Sequence, residues 1–253
     1  MRGEYVRYIA KVAYDGTAYC GWQAQSHCDT VAGVLKSRFR DAFGRDVTLV
    51  GASRTDTGVH ALGQIALVTT DFDLSFEVLH RVWNEHIPED IVIRTLIPAP
   101  ENFHPLRDVE QKTYYYHFFT ERPLPFVARY GTYIKYPVDK DCLNEGLQVF
   151  VGTHDFRSFC TGDYDNTVRR IDNILLVYHA AYRMYRIIVR GPSFLHHMIR
   201  RIVGAALDVA SRPKHTIELL KQALDEKNPQ QQLPNAPPKG LVLRSIDYRN
   251  LII

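Results

Sequence analysis

The run Ser53-Arg54-Thr55-Asp56-Thr57-Gly58-Val59-His60 crowds a guanidinium, a carboxylate, hydroxyls and an imidazole together between two apolar segments. An aspartate with an unperturbed pKa of about 3.9 is ionised at neutral pH, and a neighbouring guanidinium favours that charged form. Arg54 is the adjacent candidate for such a neighbour. Asp56 could then serve as nucleophile or base. Taken alone, an Arg-x-Asp loop is more often an Asx turn or a surface pair than a catalytic site. A second reactive-looking run is Lys112-Thr113-Tyr114-Tyr115-Tyr116, whose phenols, with pKa values of about 10, stay protonated donors. For Tyr115 and Tyr116 an aromatic strand is the preferred reading. His196-His197 together with His60 raises the question of zinc. On a helix, adjacent histidines point about 100° apart. No cysteine or carboxylate completes a tetrahedral set at the usual spacing, so no metal is expected.

These side chains need elements to position them. Residues 5–14 are rich in Tyr, Val and Ile with partial alternation and stop at the turn dipeptide Asp15-Gly16, which predicts a strand. From Thr30 to Phe43, Val31, Val34, Leu35, Phe39, Ala42 and Phe43 recur at helical spacing, with Asp29 or Thr30 as N-cap and Gly44 just beyond. Val47–Ala52 and Gln64–Thr70 read as strands around a polar loop at 53–63. A short helix at Phe76–Asn84 and a strand at Ile91–Ile97 follow.

The second half repeats the alternation: a strand at Thr113–Thr120, a helix near Lys140–Phe150, strands near Ile171–Tyr178 and Arg183–Val189, two helices, and a strand at Leu241–Tyr248. Mixed elements in both halves predict an α+β fold. The division is expected near residue 108: 1–108 carrying the Asp56 loop, 109–253 carrying the tyrosine strand and the arginine helix. That helix is placed at Pro192–Ser211, where Phe194, Leu195, Met198, Ile199, Ile202, Val203 and Ala206 span roughly 180° of arc. Arg200 falls about 60° past Val203, at the edge of this stripe.

The composition is ordinary for a globular chain of 253 residues, with 45% hydrophobic and 23% charged side chains. A formal charge of +3 permits nucleic-acid binding without demanding it, so any RNA surface must come from local clustering, with Arg38, Arg40, Arg129, Arg169-Arg170 and Arg200-Arg201 as the available cations. Cys20, Cys28, Cys142 and Cys160 form no Cys-x-x-Cys pair and read as reduced thiols. Met1 to Tyr5 shows no apolar leader, and no stretch reaches the ~18 apolar residues of a membrane span. A soluble, non-exported, cytoplasmic protein is expected.

The loop resembles the Gly-Arg-Thr-Asp-x-Gly-Val-His-Ala signature of the TruA family of tRNA pseudouridine synthases. Arg54, Thr55, Asp56, Gly58, Val59, His60 and Ala61 match it, Thr57 takes the free position, and Ser53 replaces the glycine, as in the form found among archaeal and eukaryotic relatives. Further matches run in family order: Tyr14-Asp15-Gly16, Gly21-Trp22-Gln23, Phe103-His104, Lys112 to Tyr116, Gly152 to Phe156 with Ser158-Phe159, Phe194 to Arg200 with Ile202-Val203-Gly204, and Gly240-Leu241. The chain departs from the pattern at Lys112, where the family usually has arginine, at Pro105-Leu106 after Phe-His, and at Ala32, where glutamine is common.

The resemblance implies a pseudouridine-synthase α+β fold, two similar subdomains with mixed or antiparallel sheets flanked by helices around a central RNA-binding cleft, in a homodimer. It implies an isomerase acting on uridines 38, 39 and 40 of the tRNA anticodon stem-loop without a cofactor. Asp56 takes the place of the catalytic carboxylate, Arg200 of its paired arginine, Arg54 of the arginine holding the extruded nucleotide and Tyr114 of the active-site tyrosine. Thr55, His60 and Lys112 join Arg54, Tyr114 and Arg200 as substrate-binding candidates. Forming pseudouridine breaks the N1 to C1′ bond, turns the base and joins C5 to C1′, with no redox change. A carboxylate could attack C1′, add to uracil C6, or serve a route that removes a proton from C2′.

Two other readings compete. Asp56-Thr57-Gly58 spells the Asp-Thr-Gly of aspartic proteases, in which a homodimer supplies the second aspartate. Ser53-Arg54-Thr55 stands where those enzymes have apolar strand residues, and an arginine opposes the shared-proton state they need. A non-catalytic tRNA-binding relative would show erosion at Asp56, Tyr114 or Arg200, and all three are present.

Overall fold

The computed structural model describes residues 5–71, 74–212, 214–249, 251 and 253, so the N-terminal reading at Met1 to Glu4 lies outside the described residues. The chain divides into two units, Met1–Glu110 with Val242–Ile253, and Gln111–Leu241.

The first unit contains β1 (Val6–Tyr14), α1 (Val31–Phe43), β2 (Thr48–Gly51), β3 (His60–Thr70), α2 (Phe76–His86) and β4 (Ile91–Pro98). In α1 the Thr30 hydroxyl accepts the Gly33 N–H at 3.2 Å, and Gly44 ends the helix at φ 64°. The Ser75 hydroxyl caps α2 in the same way. α2 meets α1 through Trp83, whose indole N–H donates to Leu35 O at 3.1 Å and whose ring lies edge-on to Phe39. β1 is the centre of an antiparallel β4-β1-β3 sheet. Ile9, Ala10 and Val12 of β1 are almost wholly buried, and because Ile9 and Ala10 point to opposite faces, the strand is covered on both.

The second unit holds β5 (Val109–Phe119, entering from the first unit), β6 (Thr132–Tyr133), α3 (Lys140–Gln148), β7 (Gly152–Asp155), β8 (Val168–Ile171), β9 (Asn173–His179), β10 (Met184–Gly191), α4 (Met198–Ser211) and α5 (Glu218–Glu226). β5, β10 and β9 pair antiparallel, β6 runs parallel to the end of β5, and β7 and β8 form a separate ladder. α4 packs against α3 and is buried at Met198, Ile199, Ile202, Val203 and Ala206 and on to Ala210. The chain then returns as β11 (Leu241–Tyr248), which pairs parallel with β3 through Val242 to His60 and Leu243 to Ala61. β2 occupies the same edge of β3 further along, at Ala66 to Thr69. Mixed pairings and flanking helices make this the expected α+β fold.

Several expectations need correction. The units are not the stretches 1–108 and 109–253, because the parallel β3–β11 pairing places Val242–Ile253 in the first unit. β3 begins at His60, four residues earlier than expected, since β11 pairs there. The single strand expected near Ile171–Tyr178 is two: β8 pairs with β7, and β9 pairs with β10. The helix begins at Met198 and not Pro192, because His197 adopts φ 62° and cannot propagate it. Cys20 and Cys28 are joined as a disulfide with Cα atoms 6.2 Å apart, against the expectation of reduced thiols. The Cys20 N–H donates to Asp29 O at 2.8 Å and so brings the two ends of that loop together. Among the described residues, no helix is long and apolar enough to cross a membrane.

Candidate active site

Asp56 lies on the segment between β2 and β3, and that segment is fastened at each end. At its start the Ala52 N–H donates to Ile65 O at 2.8 Å. The buried amide of Gln64 closes a pair with Ser53: Gln64 Oε1 accepts the Ser53 N–H at 3.2 Å, and Nε2 donates to Ser53 O at 2.6 Å. A buried amide satisfied on both sides sets the local backbone closely. At its end His60 and Ala61 are already in the β3 ladder.

Between these anchors the side chains alternate in exposure. Ser53, Thr55 and Val59 are buried, Arg54 and Thr57 are exposed, and Asp56 is half-buried. Thr55 Oγ1 lies 2.7 Å from the hydroxyl of buried Tyr14, the last residue of β1. The Val59 N–H donates to Asp56 O at 3.1 Å, closing a turn in which Gly58 takes φ 76°. A non-glycine residue there would be strained.

The segment from Tyr19 to Trp22 braces the turn from outside. Tyr19 O accepts the Gly58 N–H at 3.2 Å, and the Trp22 N–H donates to Thr55 O at 3.3 Å. Gly21, at φ 84°, passes so close that a Cβ would overlap Thr55 O. Asp56 is thus bracketed by backbone contacts on both sides. Gly21-Trp22 was visible as a motif, and its bracing role was not.

His60 Nδ1 lies 3.0 Å from both the Gly16 nitrogen and Asp15 Oδ1. One ring nitrogen cannot accept from the first and donate to the second at once. The Gly16 proton is fixed by the backbone and points at the ring, while Asp15 Oδ1 already accepts from the Thr17 amide and hydroxyl. Nδ1 is therefore assigned as the acceptor, with the ring proton on Nε2. His60 is buried and its Nδ1 is occupied by the backbone, which makes it a support of the loop more than a substrate contact.

Three expected residues lie in the second unit. Tyr114 on β5 is buried, with its ring edge-on to Phe194 at 5.4 Å. Lys112, two residues earlier and so on the same face of the strand, has its pKa lowered to about 8 by burial, which disfavours the ammonium form. Arg200, in the first turn of α4, is half-buried at the edge of the helix's packed face, where the sequence placed it. Its Nε donates to Ala236 O at 2.8 Å, and Arg200 O accepts the Ala236 N–H at 3.0 Å. The neighbouring tyrosines conform to the strand reading: Tyr116 is fully buried and donates to Pro237 O at 3.0 Å, and Tyr115 lies under the Arg186 guanidinium at 4.4 Å.

His196 and His197 are not on a helix, where they would point about 100° apart, since both precede α4. Their rings stack with centroids 3.8 Å apart, and each Nδ1 is 2.9 Å from Thr161 Oγ1. That hydroxyl has one proton, so it donates to one ring and accepts from the other, which must carry a proton on Nδ1.

Several candidate RNA-surface cations have carboxylate partners. Arg38 pairs with Asp41 at 3.0 Å, Arg170 with Asp172 at 2.7 Å, and Arg40 with Asp46. Exposed pairs of this kind are worth about 0–1 kcal/mol, so a phosphate can displace the carboxylate at little cost.

A family model described as tRNA pseudouridine synthase matches residues 10–106 and 147–249. Asp56, Arg54, Thr55, His60 and Arg200 lie inside those segments, and Lys112 and Tyr114 lie between them. The tRNA pseudouridine synthase A of Pseudothermotoga lettingae is 34% identical over 246 residues, covering 96% of this chain and 99% of that protein. The protein of the same name from Chlamydia abortus is 34% identical, covering 95% of this chain and 91% of its own length. The tRNA pseudouridine synthase A 1 of Desulfotalea psychrophila is 35% identical, with coverage of 94% and 97%.

Proposed function

Because the chain belongs to the tRNA pseudouridine synthase A family, an isomerase family that turns uridine into pseudouridine in tRNA, we propose that Asp56 is its catalytic carboxylate. The observation that carries this reading is the way the first unit holds the residue. Backbone contacts at Thr55 and Gly58 straddle Asp56, its neighbours Thr55 and Val59 are buried, and its own side chain remains half-exposed. A carboxylate that must meet a sugar carbon or uracil C6 needs that combination of fixed backbone and reachable oxygen.

The remaining roles follow the family pattern except at Thr55 and His60, whose burial favours support of the loop over contact with the substrate. Arg54, exposed beside Asp56, holds the extruded nucleotide through its phosphate or sugar. Tyr114 stacks on the uracil, Arg200 supports the reacting carboxylate, Lys112 adds positive charge to the RNA contact, and Thr55 and His60 keep the loop in place. A uridine in a stem-loop must leave its stack, which costs a few kcal/mol, and phosphate contacts supply the compensating affinity. No cofactor enters, because bond breaking and bond making balance within the nucleotide. The substrate proposed is the anticodon stem-loop at uridines 38, 39 and 40, and the working form is a cytoplasmic homodimer.

The deciding experiment incubates the purified protein with unmodified tRNA transcripts and maps pseudouridine by carbodiimide-stopped primer extension. Stops at 38, 39 or 40 support the reading. Stops only elsewhere overturn the choice of positions, and bound but unmodified tRNA overturns the enzymatic assignment.

A further inference from the structure

The disulfide between Cys20 and Cys28 closes the loop that braces the Asp56 turn. Cys20 sits between the two residues that make the bracing contacts, Tyr19 to Gly58 and Trp22 to Thr55. On its other side the same loop is tied to the start of α1, through the Cys20 N–H to Asp29 O at 2.8 Å and the Val31 N–H to Gly21 O at 3.1 Å. Of the residues it encloses, Gly21 and Trp22 are buried and Gln23 to His27 are exposed, and both cysteines are half-buried, so a small thiol or a protein dithiol can reach the bond from the exposed side. The other cysteines do not compete. Cys142 and Cys160 are unbonded and lie in the second unit, and burial pushes both thiols above the ordinary range, which lowers their reactivity.

We propose that Cys20 and Cys28 form an exchangeable redox pair that sets how tightly the Asp56 loop is held, so that the oxidised enzyme is the faster form. This rests on the reading of Asp56 as the catalytic carboxylate. In the reducing direction, a thiolate of an external dithiol attacks one sulfur of the pair and forms a mixed disulfide, releasing the other cysteine as a thiolate that takes up a proton. The second thiol of the reductant then attacks the mixed disulfide, frees the first cysteine and leaves as the cyclic or protein disulfide. Two electrons pass to the pair, and the dithiol is oxidised. Oxidation by glutathione disulfide reverses the process through the same intermediate type. With the bond open, Gly21 and Trp22 keep their sequence but lose the covalent restraint on the loop, and the Asp56 carboxylate samples positions away from the reacting atoms. The pair acts by positioning, so the effect belongs on kcat and not on the affinity for tRNA.

The test compares full-length protein treated with glutathione disulfide and with dithiothreitol. Maleimide labelling under denaturing conditions should add two labels to the oxidised protein and four to the reduced, as the pairing of Cys20 with Cys28 and the free Cys142 and Cys160 require. Reduction should lower kcat about threefold or more with KM for tRNA nearly unchanged, and reoxidation should restore it. Cys28→Ser should match the reduced wild type under both conditions; if that variant does not fold, Cys28→Ala takes its place. Four labels on the oxidised protein, or equal kcat in the two states, overturns the proposal while leaving Asp56's role intact. Absence of pseudouridine in every state overturns both.

Discussion

The hydroxyl of Tyr14 stands 2.7 Å from Thr55 Oγ1, and both residues are buried. The last residue of β1 thereby grips the residue preceding Asp56, from the strand at the middle of the first unit's β4-β1-β3 arrangement. Tyr14→Phe removes that grip and leaves the Thr55 hydroxyl without its phenol partner. The expected cost is about 1 kcal/mol of stability, read by urea denaturation, together with a severalfold fall in kcat. A variant with unchanged stability and rate would show that the contact carries no weight.

Asp56→Asn keeps the shape of the side chain and removes the charge. Pseudouridine formation should vanish while tRNA affinity stays within about tenfold, because the carboxylate is needed for chemistry more than for binding. Tritium release from 5-tritiated uridine measures the first and filter binding the second; full turnover by this variant sinks the assignment.

Gly21→Ala puts a Cβ against Thr55 O at a backbone φ of 84°. Strain and overlap together should cost about 2 kcal/mol or more, visible as a lowered melting temperature, and activity should fall further than stability alone explains. Gly44→Ala is the control, since its φ of 64° carries similar strain but a Cβ there meets no neighbouring atom.

Lys112 gives the protein a pH dependence that ordinary lysines do not. With its pKa at about 8, it is charged at pH 7 and mostly neutral at pH 9, whereas an exposed lysine holds its proton to about 10.4. Affinity for tRNA should therefore weaken between pH 7 and 9, with the salt dependence of binding reduced by about one phosphate contact, and Lys112→Met should abolish the step. The same shift has a sign for stability. Between about 8 and 10.4 the unfolded chain binds more protons than the folded one at this site, so the Lys112 contribution rises with pH across that window. Denaturation midpoints of wild type and Lys112→Met against pH test this directly.

Arg200→Lys separates charge from geometry. The ammonium preserves the positive charge, but a lysine lacks the planar fork, through whose Nε Arg200 donates to Ala236 O. Activity should drop by about tenfold or more, with a smaller loss for tRNA binding. Wild-type kcat in this variant would mean that charge alone suffices.

Much of this architecture was legible in the residues because it is local. The Thr30 cap, the Gly44 stop and the apolar spacing between them delimit α1, and alternation delimits β1 and β11. What escaped depends on partners distant in sequence or on single backbone angles. The apolar period runs on through Phe194 and Leu195, which lie ahead of the helix, and no periodicity registers the left-handed turn at His197. His60 and Ala61 look like loop until Val242 and Leu243 arrive beside them. Cys20 and Cys28 match no short motif, and only the closing of their loop by the Cys20 to Asp29 hydrogen bond brings them together. For the site, the resemblance singled out Asp56, Arg54 and Arg200, which residue type alone leaves as readily structural as catalytic; Tyr14 and Gly21 stood in its motifs without a role, and Gln64 stood in none, so how all three fix the loop is visible only from their contacts.

The pairing of β11 with β3 also has a consequence in time. A ribosome delivers about 5–20 residues per second from the N-terminus, so His60 emerges well before Val242. Throughout that interval the edge of β3 next to the Asp56 loop has no strand at His60 and Ala61, and the nascent chain carries an incomplete first unit. A chain truncated before residue 242 should therefore be inactive even though every residue proposed for the chemistry is present in it.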